Sequence, residues 1–159
     1  MAILKIVELG DDILRKKCRP VEEITPKIIT LLDDMRDTLI KANGVGLAAP
    51  QVGILRRIFI VDEGAGENDH KIIEFINPKI IEEKGHQEEV EGCLSLPGKY
   101  GVTSRPMTVT VEATDRNGNL FRYTGSALYG RCLCHENDHL DGILYSDNAL
   151  EMLDPEDFE

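Results

Sequence analysis

Residues 135–139 read His-Glu-Asn-Asp-His, ending twenty residues before the end of the chain. Two histidines four apart can share one ion only if the segment is helical, because one turn then stacks both imidazoles on the same face. Glu136 projects about 100° round from His135, where it can face a metal-bound water without being a ligand. The spacing therefore demands a helix near the C-terminus whose ligand face points inward. The segment SALYGRCLCHENDHLDG predicts that helix, with Ser126 capping its start and Gly142 its end. Leu128 and Cys132 lie on the stripe that runs on to His135 and His139.

The rest of the chain must supply what this helix packs against. ITPKIITLLDDMRDTLIKANG predicts a first helix. Thr25 suits its N-cap, Pro26 its first position, and Ile24 with Ile29 a hydrophobic staple. Ile28, Leu32, Met35 and Leu39 recur at helical spacing, and Gly44 is the expected stop. Between the helices the pattern turns to strands. Arg56–Asp62 reads as one, EGAGENDH as a turn-rich loop, and KIIEFINPKIIEE as strand interrupted at Asn77-Pro78. In MTVTVEATDRNGNLFRYT, Val109, Val111 and Ala113 alternate with polar residues ahead of a turn at Asn117-Gly118, which is a hairpin pattern. Strands in the middle and a helix near each end argue an α+β fold: antiparallel β-sheets around a C-terminal metal-binding helix, with an N-terminal helix. At 159 residues, with no repeat or linker, the expected organisation is a single domain over 1–159.

A net charge of −11 disfavours DNA as a partner, since phosphates are repelled over most approaches. A local basic run remains at Arg15, Lys16, Lys17 and Arg19. MAILKIVELGDDILRKK has no apolar run suited to a signal peptide or a membrane span, so the expectation is a cytoplasmic protein without membrane attachment. Cys18, Cys93, Cys132 and Cys134 are then expected as thiols or ligands rather than disulfides.

A catalytic metal needs a third protein ligand and an open position. The protease patterns do not close: Tyr145 stands where a third histidine would follow Gly142, and only an acidic tail remains downstream for a glutamate ligand. Upstream, His70 lies in a loop where a solvated histidine is expected, and His86 sits among Glu82, Glu83, Glu88 and Glu89. Cys93 differs, since it lies in the turn-prone EVEGCLSLPGKYG and a thiolate suits zinc or ferrous iron. Cys132 and Cys134 share the histidine helix and are poorly placed to wrap the same ion.

Three segments, GVGLAAPQ (Gly44–Gln51), EGCLS (Glu91–Ser95) and HENDH (His135–His139), stand complete and in order. Together they resemble the motifs G-x-G-x-A-A-x-Q, E-G-C-L-S and H-E-x-D-H of the bacterial peptide deformylases, and the similarity runs over essentially the whole chain. Gly130 and Cys134 depart from the alanine and glutamine common in that family, at positions that carry no chemistry.

The resemblance implies a metal-dependent hydrolase that removes the formyl group from the N-terminal formylmethionine of newly made polypeptides and releases formate. It makes Cys93 the third ligand beside His135 and His139, with Glu136 activating the metal-bound water. Gln51 and the backbone N–H of Leu94 would stabilise the oxyanion. It implies one divalent ion per chain, Fe(II) in the cell, with Zn(II) or Ni(II) in purified protein. Nascent formylmethionyl peptides would be the partners, with transient ribosome contact. Val45 and Gly46 would bind substrate main chain as a strand. Val45, Leu128 and Cys132 are candidates for the methionine slot, and Arg131, one turn before His135, for its rim. Glu91 with Arg105, and Asp138, are candidates for holding the ligands in place. A protease of the H-E-x-x-H type would explain the last helix alone. A metal-binding protein without catalysis would have no need of Glu136 and Gln51.

Overall fold

A computed structural model describes residues 2–65 and 69–153. Helix α1 (Pro26–Ala42) begins as expected: Thr25 Oγ1 accepts from the Ile28 N–H at 3.4 Å, and Pro26 opens the first turn. It ends one residue early. Asn43 rather than Gly44 takes the left-handed conformation at φ 55°, and its N–H reaches the carbonyls of Leu39 and Ile40. Asparagine tolerates this conformation better than other residues with a side chain.

Strand β1 (Gly46–Ala48) pairs with β2 (Ile58–Asp62), and all five residues of β2 are buried. The reason is cover on both faces. Phe59 and Val61 pack into one cluster, and Ile58 and Ile60 pack into another with Leu32, Met35 and Leu39 of α1. Each such side chain contributes ~1.5–3 kcal/mol by burial, so neither face tolerates a polar register. Strand β3 (Ile72–Lys84) runs through Asn77-Pro78 rather than stopping there. The chain instead bulges, with a register shift against its neighbour between Ile76 and Lys79 and Asn77 at φ 52°. Asn77 is held by two hydrogen bonds to the backbone of Val21, both 2.8 Å.

Strands β4 (Gln87–Cys93) and β5 (Leu96–Arg105) form a hairpin where the sequence suggested only turns. The next hairpin, β6 (Thr108–Thr114) and β7 (Leu120–Ser126), has the expected alternation, with Val109, Val111 and Ala113 buried. Its loop is wider than a two-residue turn. Gly118 alone takes a positive φ, 84°, its N–H bonds to the Asp115 carbonyl at 3.0 Å, and Asp115 Oδ1 caps the N–H groups of Asn117 and Asn119.

Helix α2 (Leu128–His139) follows, then the short α3 (Tyr145–Asn148) and β8 (Glu151–Leu153). The start of α2 corrects one expectation. Ser126 does not cap it, because β7 pairing places the Ser126 hydroxyl 2.9 Å from that of Thr108. The turn into the helix is made by Ala127 at φ 55°, whose N–H donates to the Met107 carbonyl at 2.9 Å and whose carbonyl accepts from Gln87 Nε2 at 3.0 Å. The end conforms. Gly142 is left-handed at φ 74°, its N–H bonds to His139 O, and the Ile143 N–H bonds to Asp138 O.

The fold is thus α+β with two antiparallel sheets. The larger has the order β1-β2-β3-β6-β7, with α1 over one face and α2 over the other. The smaller, β4-β5-β8, delivers Cys93 beside α2. No helix among the described residues is long and apolar enough to cross a membrane. All four cysteines are free thiols. His70 is not simply solvated: its Nδ1 lies 2.6 Å from Asp62 Oδ2, a carboxylate that β2 buries and that also accepts from the N–H groups of Gly64 and Lys71.

Candidate metal centre

α2 turns one face into the molecule, and that face carries both histidines. His135 is 7% and His139 1% exposed, so water alone cannot satisfy their ring nitrogens. Their Nε2 atoms lie 3.2 Å apart. Cys93, at the end of β4, brings its Sγ to 3.4 Å from His139 Nε2, and the three donor atoms all lie within 4.8 Å of one another. Ligands on one tetrahedral ion, at about 2.0–2.3 Å from it, stand roughly 3.3–3.7 Å from each other. The donor set therefore fits a divalent cation.

The electrostatics ask for the same thing. Burial disfavours charge on His135, but the facing carboxylates of Glu136 and Glu91 and the Cys93 thiol outweigh it and pull positive charge to this ring. His139 goes the other way, pushed down by burial and then by His135. Two rings in contact thus leave room for one positive charge, which a divalent ion held between them would supply. His135 Nδ1 contacts Glu91 Oε1, which directs Nε2 into the site.

Glu91 is the hub of the support. Arg105 donates to it through Nε at 3.2 Å and Nη2 at 2.9 Å, Thr103 Oγ1 donates at 2.6 Å, and all three side chains are buried. Arg105 also donates to Asp138 Oδ2 at 2.7 Å, tying the hairpin to α2. Burial pushes Glu91 up, but His135 and Arg105 together hold it down at about 2. Glu136 lies on the cleft side, 3% exposed, with Oε2 4.0 Å from both His135 Nε2 and Cys132 Sγ and with Oε1 meeting no hydrogen-bond partner among the described residues. Burial pushes its carboxyl up to about 7.

Gln51 is 1% exposed at the end of the GVGLAAPQ segment. Its Oε1 accepts from the Ala48 N–H at 2.9 Å, which fixes the amide, and its Nε2 donates to Ser95 Oγ at 3.1 Å and reaches Cys93 Sγ at 3.5 Å. Leu94 follows Cys93 in the turn between β4 and β5. A cleft of about 510 Å³ opens over these groups, within the size range of small-ligand sites. Val45, Gly46, Leu128, Arg131 and Cys132 all line it. Leu128 is 43% exposed and belongs to the cleft rather than the core, whereas Cys132 serves both. A Cβ on Gly46 would stand 2.7 Å from Cys132 Sγ and Glu136 Oε2, so this glycine sets the cleft's width at its inner end.

Some of the lining escapes the sequence reading. Val90, Tyr100 and Lys99 come from the β4–β5 hairpin, whose alternation is masked by Gly92, Gly98 and Gly101. Tyr145, which breaks the protease histidine pattern, stacks on His135 with ring centroids 5.9 Å apart.

Comparisons with known proteins bear on the same residues. A family model described as Polypeptide deformylase matches residues 3–154. The "Peptide deformylase" of Caldanaerobacter subterraneus subsp. tengcongensis is 49% identical over 159 residues, spanning 100% of this chain and 97% of that protein. That of Acetivibrio thermocellus is 48% identical, over 100% of this chain and 91% of its own. Among solved structures, a peptide deformylase from Legionella pneumophila superposes with a TM-score of 0.88 at 44% identity, covering 92% of this chain and 86% of that one. One from Synechococcus elongatus in complex with actinonin gives 0.89 at 37% identity, over 94% and 82%.

Proposed function

Because the chain belongs to the polypeptide deformylase family, we propose that it removes the N-formyl group from the formylmethionine of newly made polypeptides, releasing formate. The observation that carries this reading is the convergence of Cys93, His135 and His139 beside the buried Glu136 at the floor of an open cleft.

Those three residues would hold one divalent ion, which when bound supplies positive charge that acidifies water and polarises the formyl carbonyl. Two imidazoles and a thiolate suit Fe(II), Zn(II) and Ni(II), and this reading takes Fe(II) as the ion used in the cell. The chain's own residues do the rest. Glu136 takes a proton from the attacking water as its oxygen bonds to the formyl carbon. It returns that proton to the amine nitrogen as the carbon–nitrogen bond breaks, leaving formate and a free methionyl amine. Burial pushes this carboxyl up toward neutrality and a bound cation would bring it part of the way back, so it can both accept and return a proton. Gln51 Nε2 and the Leu94 N–H are the donors to the developing oxyanion, each worth about 3 kcal/mol. The anchoring of Gln51 Oε1 by Ala48 supports this, since it turns Nε2 toward Cys93 Sγ, the long contact that the amide would exchange for the oxyanion. Glu91, Arg105 and Asp138 fix the ligands, through the contacts of Glu91 with His135 and of Arg105 with Asp138.

The methionine side chain takes the slot lined by Val45, Leu128 and Cys132, and the Val45–Gly46 backbone aligns the peptide main chain. Residues 1–159 act as one catalytic domain. The reading includes a cytoplasmic location and transient contact with the ribosome as nascent chains emerge. The test is formate release from formyl-Met-Ala-Ser by protein purified without oxygen and loaded with Fe(II), beside Glu136→Ala. Formate from the first and none from the second is the expected result. No formate from a protein holding one metal would overturn the reading.

A further inference from the structure

Tyr145 stands where a protease pattern would put its third histidine, and the reaction proposed above gives it no part. It opens α3 and is 1% exposed. Its ring lies against His135 in an offset stack, with centroids 5.9 Å apart and planes 25° apart. His139 meets the same imidazole edge-on instead, with centroids 4.9 Å apart. Tyr145 packs with Leu14, Leu96 and Leu144, and Cys93 packs against that cluster. The cluster therefore backs both the helix side and the hairpin side of the metal centre.

The tyrosine is itself held. Asp147 Oδ2, two residues on, accepts from the Leu144 N–H at 3.0 Å and pairs with Arg15 Nη1 at 2.5 Å, which ties α3 to the N-terminal segment. A Cβ on Gly101 would stand 3.1 Å from the ring, so β5 leaves it little room to shift. The hydroxyl is buried and meets no hydrogen-bond partner among the described residues. It therefore contributes no bond to the fold, and what the residue supplies is its ring.

We infer that Tyr145 is a positioning residue for the metal centre: its ring fixes the plane of the His135 imidazole and favours that imidazole with an ion at Nε2. The inference rests on the deformylase reading and adds a residue to its metal centre. An imidazole binds a cation along a lone pair that lies in the ring plane, so a ring that tips carries the lone pair off the ion. Glu91 holds His135 at Nδ1 alone, which leaves the ring free to roll about that contact. A flat neighbour against its face stops the roll. The π face of tyrosine is also negative, and it attracts an imidazole made electron-poor by a bound ion more than a free one. That difference should appear as metal affinity.

The test compares the full chain with Tyr145→Phe, Tyr145→Leu and Leu14→Ala, each prepared as folded apoprotein. Leu14→Ala removes packing from the same cluster but leaves the ring on His135. Three properties are read: Zn(II) affinity against a chelating dye, the visible spectrum of the Co(II) protein, and the Tm of the apoprotein. Tyr145→Leu is expected to lose about two- to tenfold in affinity, the worth of an aromatic pair, and to shift the Co(II) bands. Tyr145→Phe is expected to keep the affinity and the bands, with a Tm no lower than that of the parent. Leu14→Ala is expected to lower the Tm and leave affinity and bands in place. Unchanged affinity and bands in Tyr145→Leu overturn the inference. So does a Tyr145→Phe protein that falls as far as Tyr145→Leu, since the hydroxyl would then be the group that matters. A Leu14→Ala protein with the same losses also overturns it, because loosening of the cluster would suffice. Formate release by the parent chain is measured alongside. Its absence removes the deformylase reading and leaves the affinities and spectra to decide this one.

Discussion

Each ligand and its neighbours fail in distinguishable ways. Glu136→Ala should keep its metal and lose about 10²–10⁴-fold in kcat, because only proton transfer is removed. Cys93→Ala should lose the metal as well, and elemental analysis beside formate release separates the two. Glu91→Gln should fall between them, with metal affinity lowered about 10–100-fold, since it weakens the hold on His135 and leaves Arg105 only Asp138 as an ionic partner. Titration of the apoprotein with Zn(II) against a chelating dye measures this. Glu136 must also be ionised to accept a proton. Its kcat/KM should therefore fall as pH drops, with a midpoint below the value of about 7 that burial and the neighbouring charges set without the ion, because a bound cation favours the carboxylate. A rate that stays flat from pH 8 to roughly pH 4 would remove Glu136 as the base.

At the scale of elements, Gly142 ends α2 and touches the N-terminal region. A Cβ there would stand 2.4 Å from Arg15 O at a φ of 74°. Gly142→Ala should lower Tm by roughly 5–10 °C, combining a left-handed alanine with a backbone clash. Gly118→Ala, at φ 84° with nothing within 4 Å, should cost less. Equal losses in a calorimeter would show that the Arg15 contact is not what matters. These elements also mark how far the sequence could be read. The Thr25 cap, the apolar stripe of α1 and the alternation in β6 are local, and each was legible because its partners lie within a few residues or on one face. The two histidines and Glu136 were legible for the same reason. The bulge at Asn77 depends on Val21, 56 residues away, and the start of α2 depends on Met107 and Gln87. No window of sequence holds those pairs together. The cleft wall from β4 and β5 was hidden in the same way, because its glycines read as turns until the strands are seen to pair.

At the scale of the molecule, the proposed ligands come from both halves of the fold: Cys93 from the small sheet's hairpin, and His135 and His139 from the helix on the large sheet. An ion held between them should stabilise the whole chain. At a free metal concentration 100 times the dissociation constant the gain is about 2.7 kcal/mol, or roughly 5–10 °C in Tm. Calorimetry with and without chelator should show that drop, with recovery on re-addition, and Cys93→Ala should show much less response to metal. The edge strand β1 has a separate consequence, for the life of the protein in a crowded solution. It is the open border of the large sheet, and it is three residues long. A peptide needs only a few residues to align there. Another copy of the chain, needing a long run of paired backbone to zip on, finds too little edge to hold. If the peptide main chain aligns there as proposed, the short border would serve a substrate while offering another copy of the chain little to pair with.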